Sequence, residues 1–397
     1  CLGCGMCGAH CPNEIDAGQI MIALRQIAAE QGYRREDCDQ LREWLTQRLD
    51  EKSGRTAGPL GMRAGTLDAT LDRPRVEVDE RLCAGVQRLN RLSRTVASTH
   101  NVSGDENEGR TIWSQNLARV PEGLVGRQGA ELIYFVGCVG AFYPRSYRVP
   151  QSMARILEAV GAEFTTLGGQ EWCCGYPLLA LGEIEEARRL ARHNVARVHE
   201  MGAARLVTTC PSCYHMWKTV YPELVSAEAG AEIVHATELL AEYLQAERLS
   251  LGALPLRVTY LAPCDVGRKS GVYRAPRRVL GHDGGDGIPG LSFVEMCSAG
   301  QIAECCGGGG NLASFDPDVV NEIALRRVGR ACKVGAQALI SACQQCERTL
   351  MAAVRRHPEA RRARLRVMDI TELVCRAMDA PRSLRAADDG RTTTDGR

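Results

Sequence analysis

Glu171-Trp172-Cys173-Cys174-Gly175-Tyr176-Pro177 puts two adjacent thiols in front of a glycine, and the signature returns as Cys305-Cys306-Gly307. Each pair is the middle of a five-cysteine set. The first set adds Cys138 upstream and Cys210-Pro211-Ser212-Cys213 downstream; the second adds Cys264 and Cys343-Gln344-Gln345-Cys346. In the first set 34 residues separate Cys138 from Cys173 and 34 separate Gly175 from Cys210, against 40 and 35 in the second. Copy-to-copy offsets of 126 at the leading cysteine, 132 at the pair, 133 at the C-x-x-C and 134 at Thr237/Thr371 mark an internal duplication. Most of the length change falls between leading cysteine and pair, where Gly281 to Gly290 reads as a glycine-rich surface loop.

Around each set, strand-like and helical patterns alternate. Leu132-Ile133-Tyr134-Phe135-Val136 reads as a short buried strand ending at Cys138, followed by a helix over Ser152 to Val160 and a strand over Phe164 to Leu167. Ile184, Ala187, Ala191, Val195 and Val198 mark one helical face closed by Gly202. Leu206-Val207-Thr208 delivers Cys210, and Pro211 suits a first helical turn. Ile233-Val234 leads to Thr237, expected as an N-cap. In the second copy Val258 to Leu261 runs to Cys264, and Asp316-Pro317 opens a helix with Val320, Ile323, Ala324, Val328 and Ala331 inward. Leu339-Ile340 then precedes Cys343, and Val367-Met368 precedes Thr371. This alternation predicts a mixed α/β fold with two duplicated Rossmann-like parallel cysteine-rich domains, residues 131–249 and 255–380. Chemistry on such sheets lies beyond the carboxyl ends of the strands, which is where Cys138, Cys210, Cys264 and Cys343 fall.

Composition agrees with a globular chain of two or three domains: 397 residues, 45% hydrophobic and 24% charged. A formal net charge of +1 supplies no field toward nucleic acid or anionic lipid. Basic runs such as Arg355-Arg356 and Arg361-Arg362 read as solvated helix faces, so no nucleic-acid partner is expected. Nineteen cysteines in a chain this long, many at C-x-x-C spacing, favour thiolate–metal chemistry in a reducing cytosol over disulfides. No signal peptide is visible and no apolar run reaches about 18 residues. The expected location is cytoplasmic, with a peripheral position on the cytoplasmic membrane face also open.

The chain opens with Cys1-Leu2-Gly3-Cys4-Gly5-Met6-Cys7-Gly8-Ala9-His10-Cys11-Pro12, the C-x2-C-x2-C-x3-C-P run that holds a [4Fe–4S] cluster. In two-cluster ferredoxins the fourth cysteine serves the other cluster, so Cys11 is a candidate ligand of a cluster whose remaining ligands lie elsewhere. A motif beginning at residue 1 without methionine suggests a longer parent chain, whose upstream segment is open, membrane spans included. Residues 1–35 are expected as a partial, α-helical ferredoxin-type domain, with a helix over Ile20 to Ala28. Residues 36–130 form a polar, helical or irregular connector, with Gly54 to Gly65 and Ser103 to Gly109 as linkers. Residues 381–397 form a disordered tail.

Five thiols per set exceed by one what a cubane cluster or tetrahedral zinc takes. Adjacent side chains in a strand point apart, so Cys173-Cys174 and Cys305-Cys306 must lie in turns to share a site. The surplus implies an unusual cluster or a thiol that opens during turnover; structural zinc remains the alternative for either set. Gly307-Gly308-Gly309-Gly310 lacks the Lys-Ser/Thr of a phosphate loop and reads as room beside a bulky cluster. Cys38 and Cys83 read as small apolar residues, Cys297, Cys332 and Cys375 as structural, and His215 as a surface or helix-face residue. No acid–base pair stands out as catalytic.

Taken together, the repeated pattern resembles the cysteine-rich (CCG) domain of heterodisulfide reductases. It also resembles iron–sulfur subunits of glycolate, lactate and anaerobic glycerol-3-phosphate oxidation. Leu167-Gly168, Cys210-Pro211-Ser212-Cys213-Tyr214, Cys305-Cys306-Gly307-Gly308-Gly309-Gly310 and Met368-Asp369-Ile370-Thr371-Glu372-Leu373 carry the likeness. The resemblance implies clusters on Cys1, Cys4, Cys7 and Cys11, on Cys138, Cys173, Cys174, Cys210 and Cys213, and on Cys264, Cys305, Cys306, Cys343 and Cys346. In the reductase branch the duplicated sites carry non-cubane [4Fe–4S] clusters that reduce a disulfide. Such chains usually have two ferredoxin motifs, and the one here is similar to the second. Leu261-Ala262-Pro263-Cys264-Asp265 departs from the family, which commonly has histidine and aspartate before this cysteine and histidine after it. The implied function is an iron–sulfur redox subunit passing electrons from a flavoprotein dehydrogenase or ferredoxin to a disulfide or a quinone-linked acceptor. A membrane cytochrome or quinone partner is a further candidate. The rivals are a relay for a 2-hydroxyacid or glycerol-3-phosphate dehydrogenase, and a zinc-binding assembly protein.

Overall fold

In the computed structural model, residues 80–226, 230–282 and 287–381 are described. Cys1, Cys4, Cys7, Cys11, the helix expected over Ile20 to Ala28, Cys38, Gly54 to Gly65 and the tail from Ala386 lie outside the described residues. Each copy builds a four-stranded parallel sheet. The first has β1 (Leu132–Phe135), β2 (Phe164–Thr165), β3 (Arg205–Thr208) and β4 (Glu232–His235) in the order β2-β1-β3-β4. The second has β5 (Leu256–Leu261), β6 (Leu291–Phe293), β7 (Ala338–Ser341) and β8 (Arg366–Asp369) in the matching order β6-β5-β7-β8. Every residue of β1 and of β7 is buried, the signature of a parallel strand covered on both faces.

The helices follow the expected script with instructive shifts. A long amphipathic helix, α1 (Glu80–Thr99), precedes the first sheet, and α2 (Gly137–Phe142) follows β1 directly. The next, α3 (Arg148–Ala159), starts four residues before Ser152, because Pro150 is tolerated in a first turn whose N–H groups have no helical partner. Helix α4 (Ile184–Met201) ends where expected, on Gly202 at φ +66°. Helix α5 (Pro211–His215) starts at Pro211, and α6 (Ala236–Gln245) leaves β4 without a loop. Thr237 is not its N-cap: His235 is, its Nδ1 accepting from the Thr237 N–H at 3.3 Å while Glu238 accepts from the His235 N–H at 2.9 Å. Ser103 to Gly109 is no linker either. Buried Asn101 organises it, its Oδ1 accepting from Ser103 N, Ser103 Oγ and Gly104 N, and a 3-10 helix over Asn107–Asn116 follows.

In the second copy α7 (Arg274–Val279) follows β5, and α8 (Pro317–Lys333) is capped by Asp316. Helix α9 (Gln344–Arg356) starts at the C-x-x-C, and α10 (Ile370–Asp379) closes the described chain. The two copies exchange their last helices: α6 packs on α7, and α10 packs on α3. One apolar cluster therefore runs through both halves, holding Leu239, Leu240, Val279 and Leu280 together with Met153, Ile156, Leu373 and Val374. Burying each such side chain stabilises by about 1.5–3 kcal/mol, so the halves share a core and their cysteine edges face one another.

As in the first copy, the cap of α10 lies at the strand end. Asp369 Oδ1 accepts from Thr371 N at 2.9 Å and Thr371 Oγ1 at 2.7 Å. Burial nevertheless pushes the Asp369 carboxyl from its usual 3.8 up to about 7, with Glu372 adding to the rise and the two Thr371 donors opposing it. The folded chain thus holds a proton that the unfolded chain has released. The contribution is full below the ordinary value and is lost as pH rises from about 4 through about 7. Asp369→Asn, which keeps the capping oxygen, is expected to flatten that part of a thermal-midpoint-against-pH curve. Curves that stay parallel across the window would contradict it.

Candidate metal centre

The first copy delivers its thiols from three directions. Beyond β1, Gly137 at φ +76° turns the chain into α2 and places Cys138 in its first turn. A Cβ on Gly137 would crowd Cys213 Sγ at 3.1 Å, and the positive φ itself favours glycine there. Beyond β3, Cys210 is the N-cap residue of α5 and Cys213 follows within the same turn. The Cys173-Cys174 pair is pinned between them by Cys173 N donating to His100 O at 2.7 Å. Gly175 then turns at φ +82° against the backbone of Ala187.

The five sulfurs form a row of thiol–thiol contacts in the order Cys138, Cys173, Cys174, Cys213, Cys210. The second copy repeats it as Cys264, Cys305, Cys306, Cys346, Cys343, with Cys306 Sγ 3.1 Å from Cys346 Sγ. Hydrogen bonds from Cys173 and Cys213 pull the Cys174 thiol down to about 6, and those from Cys305 and Cys346 pull Cys306 down to about 6. Contact with Cys173 and burial push Cys138 well up; contact with Cys305 and burial do the same to Cys264. Negative charge therefore concentrates on the central sulfur of each row. A backbone donor supports it in the second row, Gly308 N to Cys306 Sγ at 3.4 Å, while Gly307 N reaches Cys305 Sγ at 3.3 Å and Cys346 N reaches Cys343 Sγ at 3.4 Å.

All ten sulfur-bearing residues line one cavity of about 220 Å³ between the halves, which Tyr176, Ser212, Asp265, Gln344 and Arg348 also line. The tetraglycine forms part of the wall through Gly308, Gly309 and Gly310, and a Cβ on Gly309 would meet nothing.

Two charged pairs next to the rows escaped the sequence reading. Arg110, only 2% exposed, donates from Nη2 to Cys138 Sγ at 3.3 Å and from Nη1 to Glu171 Oε1 at 2.8 Å. Glu171 also accepts from the Val136 and Gly137 N–H groups at 2.9 Å each. Burial raises its carboxyl, against the pull of Arg110 and those two donors. Beside Cys264, Asp265 pairs with Lys269 at 2.9 Å and accepts from Ser212 Oγ of the other copy at 2.5 Å. Glu171 stood in plain view two residues before the cysteine pair. Arg110 lies in the connector, where no pattern marked it.

Other expectations shift. His215 is buried on α5 rather than exposed, facing Ser270 Oγ at 3.4 Å, with its ring pulled down to about 4 by burial and then Lys269. It does not line the cavity. Cys297 is exposed, so it is no core residue, and Cys332 is half-buried near His357 and Glu359. Cys375 is buried, its thiol donating to Ser152 O at 3.3 Å.

The CCG cysteine-rich domain model matches residues 132–218 and 258–351, one match per copy. The chain is 33% identical over 289 residues to a dihydromethanophenazine:CoB–CoM heterodisulfide reductase subunit of Methanosarcina barkeri, covering 72% of this chain and 66% of that protein. Against the same-named subunit of Methanosarcina mazei it is 32% identical over 382 residues, 95% of this chain and 77% of that one. The EtfAB:quinone oxidoreductase of Syntrophomonas wolfei is 27% identical over 282 residues, 68% of this chain and 38% of that protein.

Proposed function

Since this chain belongs to the CCG cysteine-rich domain family that includes those heterodisulfide reductase subunits, we propose that it is an iron–sulfur redox protein whose two thiol rows hold clusters and reduce a disulfide between them. The observation that carries this reading is that both rows line the same cavity.

The donor set fits the group. Each site offers thiols alone, the soft ligands that select iron–sulfur clusters, zinc or Cu(I). A single tetrahedral zinc with bonds of about 2.3 Å holds its sulfurs about 3.8 Å apart, all mutually close. Among the described residues the trio with donor atoms all within 4.8 Å of one another is Cys332, His357 and Glu359, outside both rows. An extended row suits a larger cluster better than one ion. When bound, such clusters supply one-electron transfer.

The chain's own residues do the rest. The N–H groups of Gly307, Gly308 and Cys346 stabilise thiolate charge, and Gly308 to Gly310 leave room for substrate sulfur. Cleaving one S–S bond with two electrons, one from each row, releases two thiolates, which take their two protons from solvent. Electrons would arrive from a partner flavoprotein or other redox protein through the N-terminal run Cys1, Cys4, Cys7 and Cys11, read as a ferredoxin-type domain of residues 1–35. Fourteen free cysteines among the described residues favour a reducing, cytoplasmic setting. No helix among those residues is long and apolar enough to cross a membrane.

A second reading is a relay without a substrate of its own, serving a 2-hydroxyacid or glycerol-3-phosphate dehydrogenase complex. The likeness to an EtfAB:quinone oxidoreductase favours it. Iron, sulfide and zinc analysis of anaerobically purified protein comes first. Iron with sulfide is expected, and near-stoichiometric zinc with almost no iron would end the cluster reading. A soluble mixed disulfide added to the reduced protein should then reoxidise the clusters. Silence toward disulfides with rapid reduction by a flavoprotein would select the relay.

A further inference from the structure

The leading cysteine of each row meets a buried ion pair, and the two pairs are turned opposite ways. At Cys138 the cation touches sulfur: Arg110 Nη2 lies 3.3 Å from Sγ, while the Glu171 oxygens are taken by Arg110 Nη1 and by the Val136 and Gly137 N–H groups. At Cys264 the anion is the chain neighbour and reaches the sulfur: the thiol points at Asp265 Oδ1, 3.9 Å from Sγ. Lys269 Nζ is held by that same carboxylate at 2.9 Å and by Tyr176 OH at 3.0 Å. Both pairs are shielded from solvent, with side-chain exposures of 2% and 2% for Arg110 and Glu171, and of 17% and 7% for Lys269 and Asp265. Salt and water therefore screen neither strongly.

Adding an electron to a thiolate-ligated cluster adds negative charge. A guanidinium hydrogen-bonded to a ligand sulfur favours that state, and a carboxylate beside a ligand sulfur opposes it; hydrogen bonds to the sulfurs and local charge are what set such potentials. The duplication hides the difference, because Arg110 comes from the connector, ahead of both copies. Resting on the cluster reading above, we infer that the duplicated sites are electronically unequal: the Cys138 row holds the higher reduction potential and the Cys264 row the lower. Arg110 and Asp265 are the positioning residues that split them. The first electron into the pair settles on the Cys138 side, and the Cys264 row is the stronger reductant.

The test is a spectroelectrochemical titration of the full chain, purified anaerobically, as wild type, Arg110→Gln, Arg110→Lys and Asp265→Asn. Wild type is expected to show two separable midpoints from the duplicated region beside that of the N-terminal run. Arg110→Gln should lower the upper midpoint by at least a tenfold change in the reduced-to-oxidised ratio, which is 59 mV for one electron. Arg110→Lys, which keeps the charge, should move it less, and Asp265→Asn should raise the lower midpoint toward the upper. Midpoints that do not move, or that move together, while both rows retain iron would overturn the inference. If Arg110→Gln fails to retain its cluster, Asp265→Asn decides: a raised lower midpoint upholds the split and an unmoved one refutes it. Wild-type protein without any cluster signal would overturn the cluster reading and this inference with it, recognisable because no midpoint exists to shift.

Discussion

Removing the central pair of one row, as Cys173→Ala/Cys174→Ala, is expected to abolish iron at that row while leaving the other loaded. Cys305→Ala/Cys306→Ala should do the reverse. The pair bridges the row: Cys173 touches Cys138 on one side and Cys174 touches Cys213 on the other. Without it three thiols remain, one short of what a cubane cluster or a tetrahedral zinc takes. The central sulfurs also carry the lowered thiol values, so their loss removes the thiolates most ready to bind metal. Single variants probe the surplus. Cys210→Ala leaves four thiols, and full retention of iron would mark that end of the row as the dispensable ligand. Anaerobic iron and sulfide counts with difference spectra would check each variant. Both double variants losing iron from both rows together would contradict two independent nests.

The sequence announced the sites more loudly than the machinery that tunes them. Thiols at repeated spacing are legible because metal chemistry constrains residue type and separation together. Strand-then-cysteine order placed Cys138, Cys210, Cys264 and Cys343 at the sheet edge because a parallel sheet offers its strand ends there. The cap was misplaced at Thr237 for a local reason: the threonine is the donor, and the accepting residue, His235, hides as the last residue of a strand, as Asp369 does ahead of Thr371 in the second copy. Ser103 to Gly109 looked like a linker because turn-forming polar residues are the same residues linkers use; the network on buried Asn101 separates the two. Arg110 and the pairing of α6 with α7 and of α10 with α3 were illegible, since both are contacts between segments without shared periodicity.

Glu171→Ala should be the most destabilising single change outside the apolar core. Glu171 and Arg110 are each about 2% exposed at the side chain, so deleting the carboxylate leaves a guanidinium buried without its partner. Breaking a buried pair on one side typically costs about 3–5 kcal/mol. The Val136 and Gly137 N–H groups lose an acceptor as well, at the bend that carries Cys138. Arg327 with Glu304 offers the contrast. Arg327 is fully buried, but Glu304 is 39% exposed, so water can replace the missing carboxylate and Glu304→Ala should cost only about 1 kcal/mol. Replacing both members of the first pair, as Arg110→Met/Glu171→Met, should cost less than Glu171→Ala, because no charge is then stranded. Denaturant unfolding of the metal-free, reduced protein measures all three. A Glu171→Ala loss no larger than that of Glu304→Ala would show that solvent or another carboxylate reaches Arg110, and would remove the basis for treating it as a buried charge held against Cys138.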